Sequence, residues 1–337
     1  MRVIEIAGFG GPEALRVAER PAPELKGDEV LIQVEAAGGS RPDALQRAGN
    51  YPPPPGSSDI PGLEVAGVVV EAASGVREGP AVGERVCALV TGGGYAELCA
   101  APAVQALPIP DTWTAVEAAA LPENLFTVYD MLVRRMRVGV GDTLLVQGGA
   151  SGIGSTAIML AKALGAIVVA TAGSEEKCAA CLALGASHAV NYKTQDFVEE
   201  TMRFTGGAGA DAVLDIVGGD YLARHLDLLA LDGRIGMLAF AGGREPALPL
   251  PKLLTRRASI YGALLRPRPP ALKGQIAREL KAHIWPLLAQ KEVIRPVIDS
   301  VFELAQAAQA HARLESGAHI GKIVLRVEPA AAKTPAA

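Results

Sequence analysis

Apolar residues in this chain come in short bursts, and the spacing within the bursts changes along its length. Met1–Ile6 reads as a strand and not as a signal peptide. Val30, Ile32 and Val34 alternate with polar neighbours, the period-two pattern of a half-buried strand. Apolar runs at Val65–Val70, Arg85–Val90 and Tyr95–Ala100 are set apart by Gly, Pro and Ser clusters and predict further strands. Pro52–Pro55 predicts a stiff loop. From about residue 123 the pattern becomes an alternation of strands and helices. Strands are predicted at Thr143–Val146, Ile167–Thr171, 188–192, 211–217, 233–240 and 258–264. Helices are predicted at Ser155–Leu164, 175–184, 195–204 and 219–230. Such alternation implies a parallel sheet. Residues 266–337 then predict helices at about 272–290 and 302–315, and a last strand at Lys322–Val327 that pairs back into the first region. The fold class is therefore α/β. A doubly wound parallel sheet (123–265) is inserted in a discontinuous β-rich domain (1–122 with 266–337), and the active site is expected in the cleft between them. The Ala/Pro-rich tail, Pro329–Ala337, is predicted to fray.

Composition narrows the class. A chain of 337 residues suggests about two domains, and half its residues are hydrophobic with only 4% aromatic, which suits a well-buried α/β protein. A net charge of −4 with no basic block argues against nucleic acid as a partner. No apolar run is long enough to span a membrane, and a cytoplasmic location is the default. The four cysteines, Cys87, Cys99, Cys178 and Cys181, show no disulfide framework. Cys178 and Cys181 form a C-x-x-C, but a zinc site needs two more ligands nearby, so they read as small helix residues.

The chemistry starts at Leu144–Gly154, where a strand, a glycine-rich turn and a helix follow one another. That succession presents backbone N–H groups and a helix N-terminus to a pyrophosphate, through Gly149, Ala150, Ser151, Gly152, Ile153 and Gly154. The G-x-G-x-x-G pattern is irregular, because Ser151 holds its middle position and implies an altered backbone path. Gly148, Gly152 and Gly154 also satisfy the short-chain dehydrogenase pattern. That family has its turn near the N-terminus and needs a Tyr-x-x-x-Lys pair, which no tyrosine here supplies. An NAD site places an acid at the end of the second strand. Here that strand ends Ala170-Thr-Ala-Gly-Ser174 with no carboxylate at its tip, while the Ser174 hydroxyl and the Lys177 ammonium suit a 2′-phosphate. The expected cofactor is NADPH.

Gly62–Gly67, Val82–Val86, Gly94–Glu97, Ala119–Pro122 and Gly321–Leu325 carry a resemblance that spans nearly the whole chain. In these blocks the sequence resembles the zinc-free quinone oxidoreductases of the medium-chain dehydrogenase/reductase superfamily. Thr171–Lys177 and Asn191–Lys193 are most similar to the NADPH-dependent branch of p53-inducible and bacterial quinone reductases. The resemblance implies a Rossmann domain within a GroES-like domain. It implies that Gly173, Ser174 and Lys177 hold the 2′-phosphate end and that Tyr192 lies near the adenine, unless Tyr192 only packs at a strand end. Thr127, Val217, Gly218, the Phe240-Ala241-Gly242 loop, Leu265, Arg266 and Lys322 are the further cofactor positions it implies. Tyr51 matches a tyrosine of the substrate cleft, as hydrogen-bond donor or stacking group, or else as a support for the Pro52–Pro55 turn. Ser40 and Asp43 fall beside it as substrate contacts. The zinc-binding relatives place Cys and His where this chain has Ser40 and Leu63, so no metal is expected and Glu64 becomes structural. The implied activity is metal-free hydride transfer from NADPH to a quinone or another α,β-unsaturated carbonyl. The same scaffold also serves enoyl-thioester reductases and non-catalytic NADPH-binding proteins. A homodimer through Ser259–Leu264 is the implied assembly.

Overall fold

The computed structural model describes residues 1–289 and 293–328; the tail expected to fray lies outside them, as does the end of the helix expected to reach 290. The described residues form two compact units. One comprises Met1–Phe126, Arg266–Ala289 and the chain from Pro296, and the other centres on Thr127–Leu265.

The first unit opens with an antiparallel pair, β1 (Arg2–Ile6) and β2 (Leu15–Glu19). Strand β3 (Glu29–Gly39) leads into helix α1 (Arg41–Arg47). Next come β4 (Glu64–Ala72), β5 (Arg85–Leu89), β6 (Leu98–Pro102) and β7 (Ala106–Pro108). Two helices follow, α2 (Ala115–Ala119) and α3 (Pro122–Tyr129); the first unit's stretch ends within α3 at Phe126, and the rest of α3 with the π-helical segment Asp130–Arg135 that continues it belongs to the second unit.

The second unit is a succession of strand and helix. Its elements are β8 (Thr143–Val146), α4 (Gly152–Ala163), β9 (Ile167–Ala172), α5 (Glu175–Leu184), β10 (His188–Asn191) and α6 (Phe197–Phe204). They continue with β11 (Ala210–Asp215), α7 (Tyr221–Leu228), β12 (Leu229–Met237), α8 (Leu250–Arg256) and β13 (Ser259–Gly262). All its pairings are parallel, in the order β10-β9-β8-β11-β12-β13. The chain winds one way from β8 to β10 and the other way from β11 to β13. The strand order therefore reverses between β8 and β11, the topological switch point at which such sheets bind ligands. Leu145, Val169, Val213, Ile235 and Phe197 form the buried centre of this unit.

The chain then returns to the first unit as α9 (Pro270–His283), α10 (Trp285–Ala289), β14 (Ile298–Glu303), α11 (Ala307–Glu315) and β15 (Lys322–Arg326). The first unit's main sheet runs β14-β15-β3-β4-β5-β7, with β6 also paired to β3. The last strand does pair with the N-terminal region, through Ile323–Gly39 and Leu325–Ala37.

Strand β12 begins at Leu229, inside the stretch expected as helix 219–230, helix α8 was not expected, and two further expectations change. The stretch 302–315 is not one helix, because Ile298–Glu303 is a strand parallel to β15 and the helix starts only at Ala307. Local spacing cannot show that a partner strand satisfies this backbone. The helix expected over 272–290 breaks at Ile284, because Pro286 lacks an N–H and its ring would meet the carbonyl four residues earlier.

Candidate active site

The glycine turn follows from its residue types. Gly148 takes φ +69°, and a Cβ on Gly154 would lie 2.2 Å from the Gly148 carbonyl oxygen. Only glycine permits so close a meeting of helix and turn. Ser151 explains the irregular motif: it is the N-cap of α4, extended at φ −75°, ψ 170°, and its hydroxyl accepts from the Gly154 N–H at 2.9 Å. One N-terminal donor is thus satisfied from within. The N–H groups of Gly152 and Ile153 have no intrahelical acceptor and remain to face an anion. Ala150 is buried, while Ser151, Gly152 and Ile153 are half-buried.

Beneath the turn runs a buried polar chain that was not read from the sequence. The Gly148 N–H donates to Thr171 Oγ1 (3.1 Å), Thr171 donates to Gln147 Oε1 (2.6 Å), and Gln147 Nε2 lies 3.1 Å from His225 Nε2. His225 Nδ1 lies 3.6 Å from Asp215 Oδ2, and Asp215 Oδ1 accepts from the N–H groups of Val217 (2.7 Å) and Gly218 (2.9 Å). Burial pushes the His225 imidazole down to about 4, against the pull of Asp215, so it is neutral at pH 7. The chain joins the turn after β8 to the turn after β11. Gly218 in turn packs on the next loop, where its Cβ would lie 2.8 Å from Phe240 Cα, and the Gly242 N–H donates to the Val217 carbonyl. Val217, Gly218, Phe240 and Gly242 therefore come together, with Ala241 exposed between the last two.

The end of β9 gathers the residues expected at the 2′-phosphate. Ser174 is the N-cap of α5 and accepts from the Lys177 N–H at 3.3 Å, which leaves its own hydroxyl proton for another acceptor. Lys177 is half-buried. A Cβ on Gly173 would lie 2.7 Å from Tyr192 Oη, so the exposed Tyr192 ring stands over this strand end. Of the two acids in the first turn of α5, Glu175 and Glu176, the first accepts from Asn191 Nδ2 at 2.7 Å. Cys178 and Cys181 are buried free thiols within α5, and Cys181 lies under Gly149. Leu265 is half-buried after β13, and Thr127 is half-buried on α3.

The first unit holds the other expected site residues. Tyr51 is half-buried, and the Arg266 guanidinium carbon stands 5.2 Å from the centre of its ring. Burial pushes the phenol up, against the opposing charge of Arg266, so Tyr51 keeps its proton and can donate it in a hydrogen bond. Four other residues sit differently from their expected roles. Asp43 is completely buried; its carboxylate accepts from the Ser40 N–H (2.9 Å), the Ser40 hydroxyl (2.7 Å) and the Gly62 N–H (2.9 Å). Ser40 and Asp43 form the capping box of α1, so their polar groups serve the helix instead of facing a substrate. Arg266 is also buried and donates to Gln46 Oε1 (2.6 Å) and the Thr91 carbonyl (2.9 Å), which makes it the fixed support of Tyr51 rather than a group presented to a cofactor. Lys322 is buried with its Nζ 2.6 Å from Glu64 Oε1, and its charge is spent on that carboxylate. Glu64 is structural in this sense: its other oxygen accepts from the Glu123 N–H at 2.9 Å. Leu63 is buried, and among the described residues no three His, Cys, Asp or Glu side chains are arranged to hold a metal ion.

Two titratable groups of this unit went unread. Lys273 is buried against the Arg266 carbonyl and Thr91, and burial with the Arg266 charge lowers it to about 8. Glu123 opens α3, and burial pushes its carboxyl up to about 7, against Lys322 and with Glu64 and Asp43. An acid just after Ala119-Ala-Leu-Pro122 and just before Leu125-Phe126 was the available signal, because a carboxylate inside an apolar run is costly unless it has work to do.

Residues 26–111 match the alcohol dehydrogenase GroES-like domain, and residues 152–279 match the zinc-binding dehydrogenase family. A quinone oxidoreductase of Rattus norvegicus is 32% identical over 328 residues, which cover 96% of this chain and 97% of that protein. The chain belongs to the quinone oxidoreductase family of medium-chain dehydrogenase/reductases. The solved Escherichia coli quinone oxidoreductase complexed with NADPH superposes with a TM-score of 0.86 at 30% identity, covering 97% of this chain and all of that one. A solved NAD-dependent alcohol dehydrogenase superposes with a TM-score of 0.85 at 32% identity over 97% of this chain and all of that one. The protein is thus an oxidoreductase of this family, with the fold of enzymes that use an NAD(P)-type dinucleotide. No helix among its described residues is long and apolar enough to cross a membrane.

Proposed function

We propose that this enzyme reduces quinones, or other α,β-unsaturated carbonyl compounds, with NADPH and without a metal ion. The observation that carries the choice of coenzyme is the end of β9. There Ser174 and Lys177 stand together with a hydroxyl and a cation, no carboxylate lies at the tip of the strand, and Glu175, one of the two acids in the first turn of α5, is engaged by Asn191. The residues fit the dinucleotide: Gly152 and Ile153 offer backbone donors to a pyrophosphate, Gly173 and Tyr192 frame the adenosine end, and Thr127 with Phe240–Gly242 would orient the nicotinamide. When bound, the reduced nicotinamide supplies a hydride. Tyr51 donates a hydrogen bond to the acceptor's carbonyl oxygen as charge builds there, and Arg266 holds the ring in place. The metal-free reading rests on Ser40, whose hydroxyl is given to Asp43, and on Leu63, which cannot coordinate a metal. The resemblance adds a homodimer through β13, which among the described residues pairs only with β12 and so stands at an edge of the sheet.

Purified enzyme should consume NADPH with 1,4-benzoquinone or 9,10-phenanthrenequinone, prefer NADPH to NADH, and carry no stoichiometric zinc by metal analysis. Preference for NADH, or bound zinc that activity requires, would sink this reading. Faster turnover of a crotonyl thioester than of any quinone would move the substrate to the enoyl-thioester class.

A further inference from the structure

Helix α3 carries a carboxyl group that hydride transfer and Tyr51 leave unused. Six of its eight residues are buried, and only Glu123 and Thr127 are half-buried. They stand four residues apart, so one face of one helix presents both. Glu123 is held at the first turn, where its N–H donates to Glu64 Oε2 at 2.9 Å. The charged and titratable groups that face it are Lys322 from β15, Glu64 from β4, Asp43 from α1 and the Tyr51 phenol beyond α1.

We infer that Glu123 is the proton donor of the reaction, delivering its carboxyl proton to the carbonyl oxygen of the quinone or enone as the hydride arrives. This rests on the quinone-reductase reading above. In the step, the acceptor gains a hydride, a proton with two electrons, at one end of its conjugated system. The Glu123 O–H bond breaks as an O–H bond forms at the other end. The acceptor is reduced, the nicotinamide is oxidised by the same two electrons, and the Glu123 carboxylate takes a proton back from water.

The other titratable groups around Glu123 are poorer proton donors in this setting. Tyr51 is half-buried and pushed up from its ordinary value, so it gives a hydrogen bond but not its proton. Lys322 is bound to Glu64, and the Asp43 carboxylate already accepts three hydrogen bonds. At about 7, the Glu123 carboxyl is part-protonated at neutral pH, the condition in which a general acid is most effective.

The sign is definite: a donor must carry its proton, so kcat should fall as pH rises through about 7. Wild-type enzyme saturated with NADPH and 9,10-phenanthrenequinone should show that limb. Glu123→Gln should abolish the limb and lower kcat about a hundredfold. Its Kd for NADPH should stay within about twofold of wild type. Glu123→Asp should keep the limb with a displaced midpoint. An infrared titration of coenzyme-free protein reads the carboxyl directly. A protonated-carboxyl band present at about pH 6 should be gone by about pH 8 in wild type and absent throughout from Glu123→Gln. A wild-type profile flat across this range, a limb that survives in Glu123→Gln, or a carboxyl already ionised at about pH 6 overturns the inference while quinone reduction stands. A wild type that binds NADPH yet reduces no quinone or enone defeats the underlying reading and the inference with it.

Discussion

At the scale of single residues, the proposed choice of NADPH rests chiefly on one ammonium group. Lys177 sits at the first turn of α5 beside a serine cap whose hydroxyl proton is available. A charge-assisted contact to a phosphate is worth about 1.5–3 kcal/mol, or about ten- to a hundredfold in affinity. Lys177→Ala should therefore weaken NADPH by that factor and leave NADH within about twofold, measured by fluorescence titration of both coenzymes. Equal losses would refute contact with the 2′-phosphate. The same logic applies to Tyr51. Its hydroxyl is asked for one hydrogen bond to a developing oxyanion, so Tyr51→Phe should lower kcat about tenfold and leave the NADPH Kd unchanged. Identical kinetics would reduce Tyr51 to a stacking group. Ser174, Lys177 and Tyr51 could be proposed from the sequence because their roles rest on residue type and motif position, and Ser174 and Lys177 do stand together at the first turn of α5. Asp43 and Arg266 were misread because motif position does not reveal whether a polar group is already satisfied. Asp43 turns inward to cap α1, and Arg266 turns inward to Gln46 and Thr91.

At the scale of elements, local spacing served wherever local forces decide. Helix α5 has its expected limits because Ser174 caps one end and Gly185, at φ +113°, closes the other. Strands β8 and β9 are continuous apolar runs because both faces are covered. Strand β14 stayed hidden because its half-buried residues follow no clean period and its backbone is satisfied by β15. The buried chain from Thr171 to Asp215 stayed hidden for a related reason: its members come from four separate segments of sequence. The tightest local constraint is Gly154. Its absent Cβ is what lets α4 approach the Gly148 carbonyl. Backbone cannot yield as a flexible side chain can, so Gly154→Ala should displace the turn and weaken dinucleotide binding by about tenfold or more, with circular dichroism unchanged. Full retention of NADPH affinity would show that the turn has slack that the geometry denies it.

Across the whole molecule, an ion pair buried at both partners ties a late strand to the N-terminal region. Lys322 arrives on β15, the last strand, and meets Glu64 on β4 with both groups buried. Neither residue signals the other in the sequence: Glu64 reads as structural with no partner indicated, and Lys322 as a cofactor contact. Their pairing is what gives the buried carboxylate a counter-charge, since burial alone pushes Glu64 up from its ordinary value and Lys322 pulls it back. Removing one partner leaves the other charge buried and alone, a loss of about 3–5 kcal/mol. Lys322→Met should therefore destabilise the protein by that order at neutral pH, read as a fall in the denaturant midpoint of the transition that reports the first unit. The deficit should shrink as the pH is lowered. Without the lysine, the native state holds a proton on Glu64 at pH values where the unfolded chain has lost it, so native stability falls with rising pH. The double variant Glu64→Gln with Lys322→Met should recover most of the loss, because no uncompensated charge remains. If the single and double variants are equally unstable at neutral pH, packing and not charge closes the chain at β15.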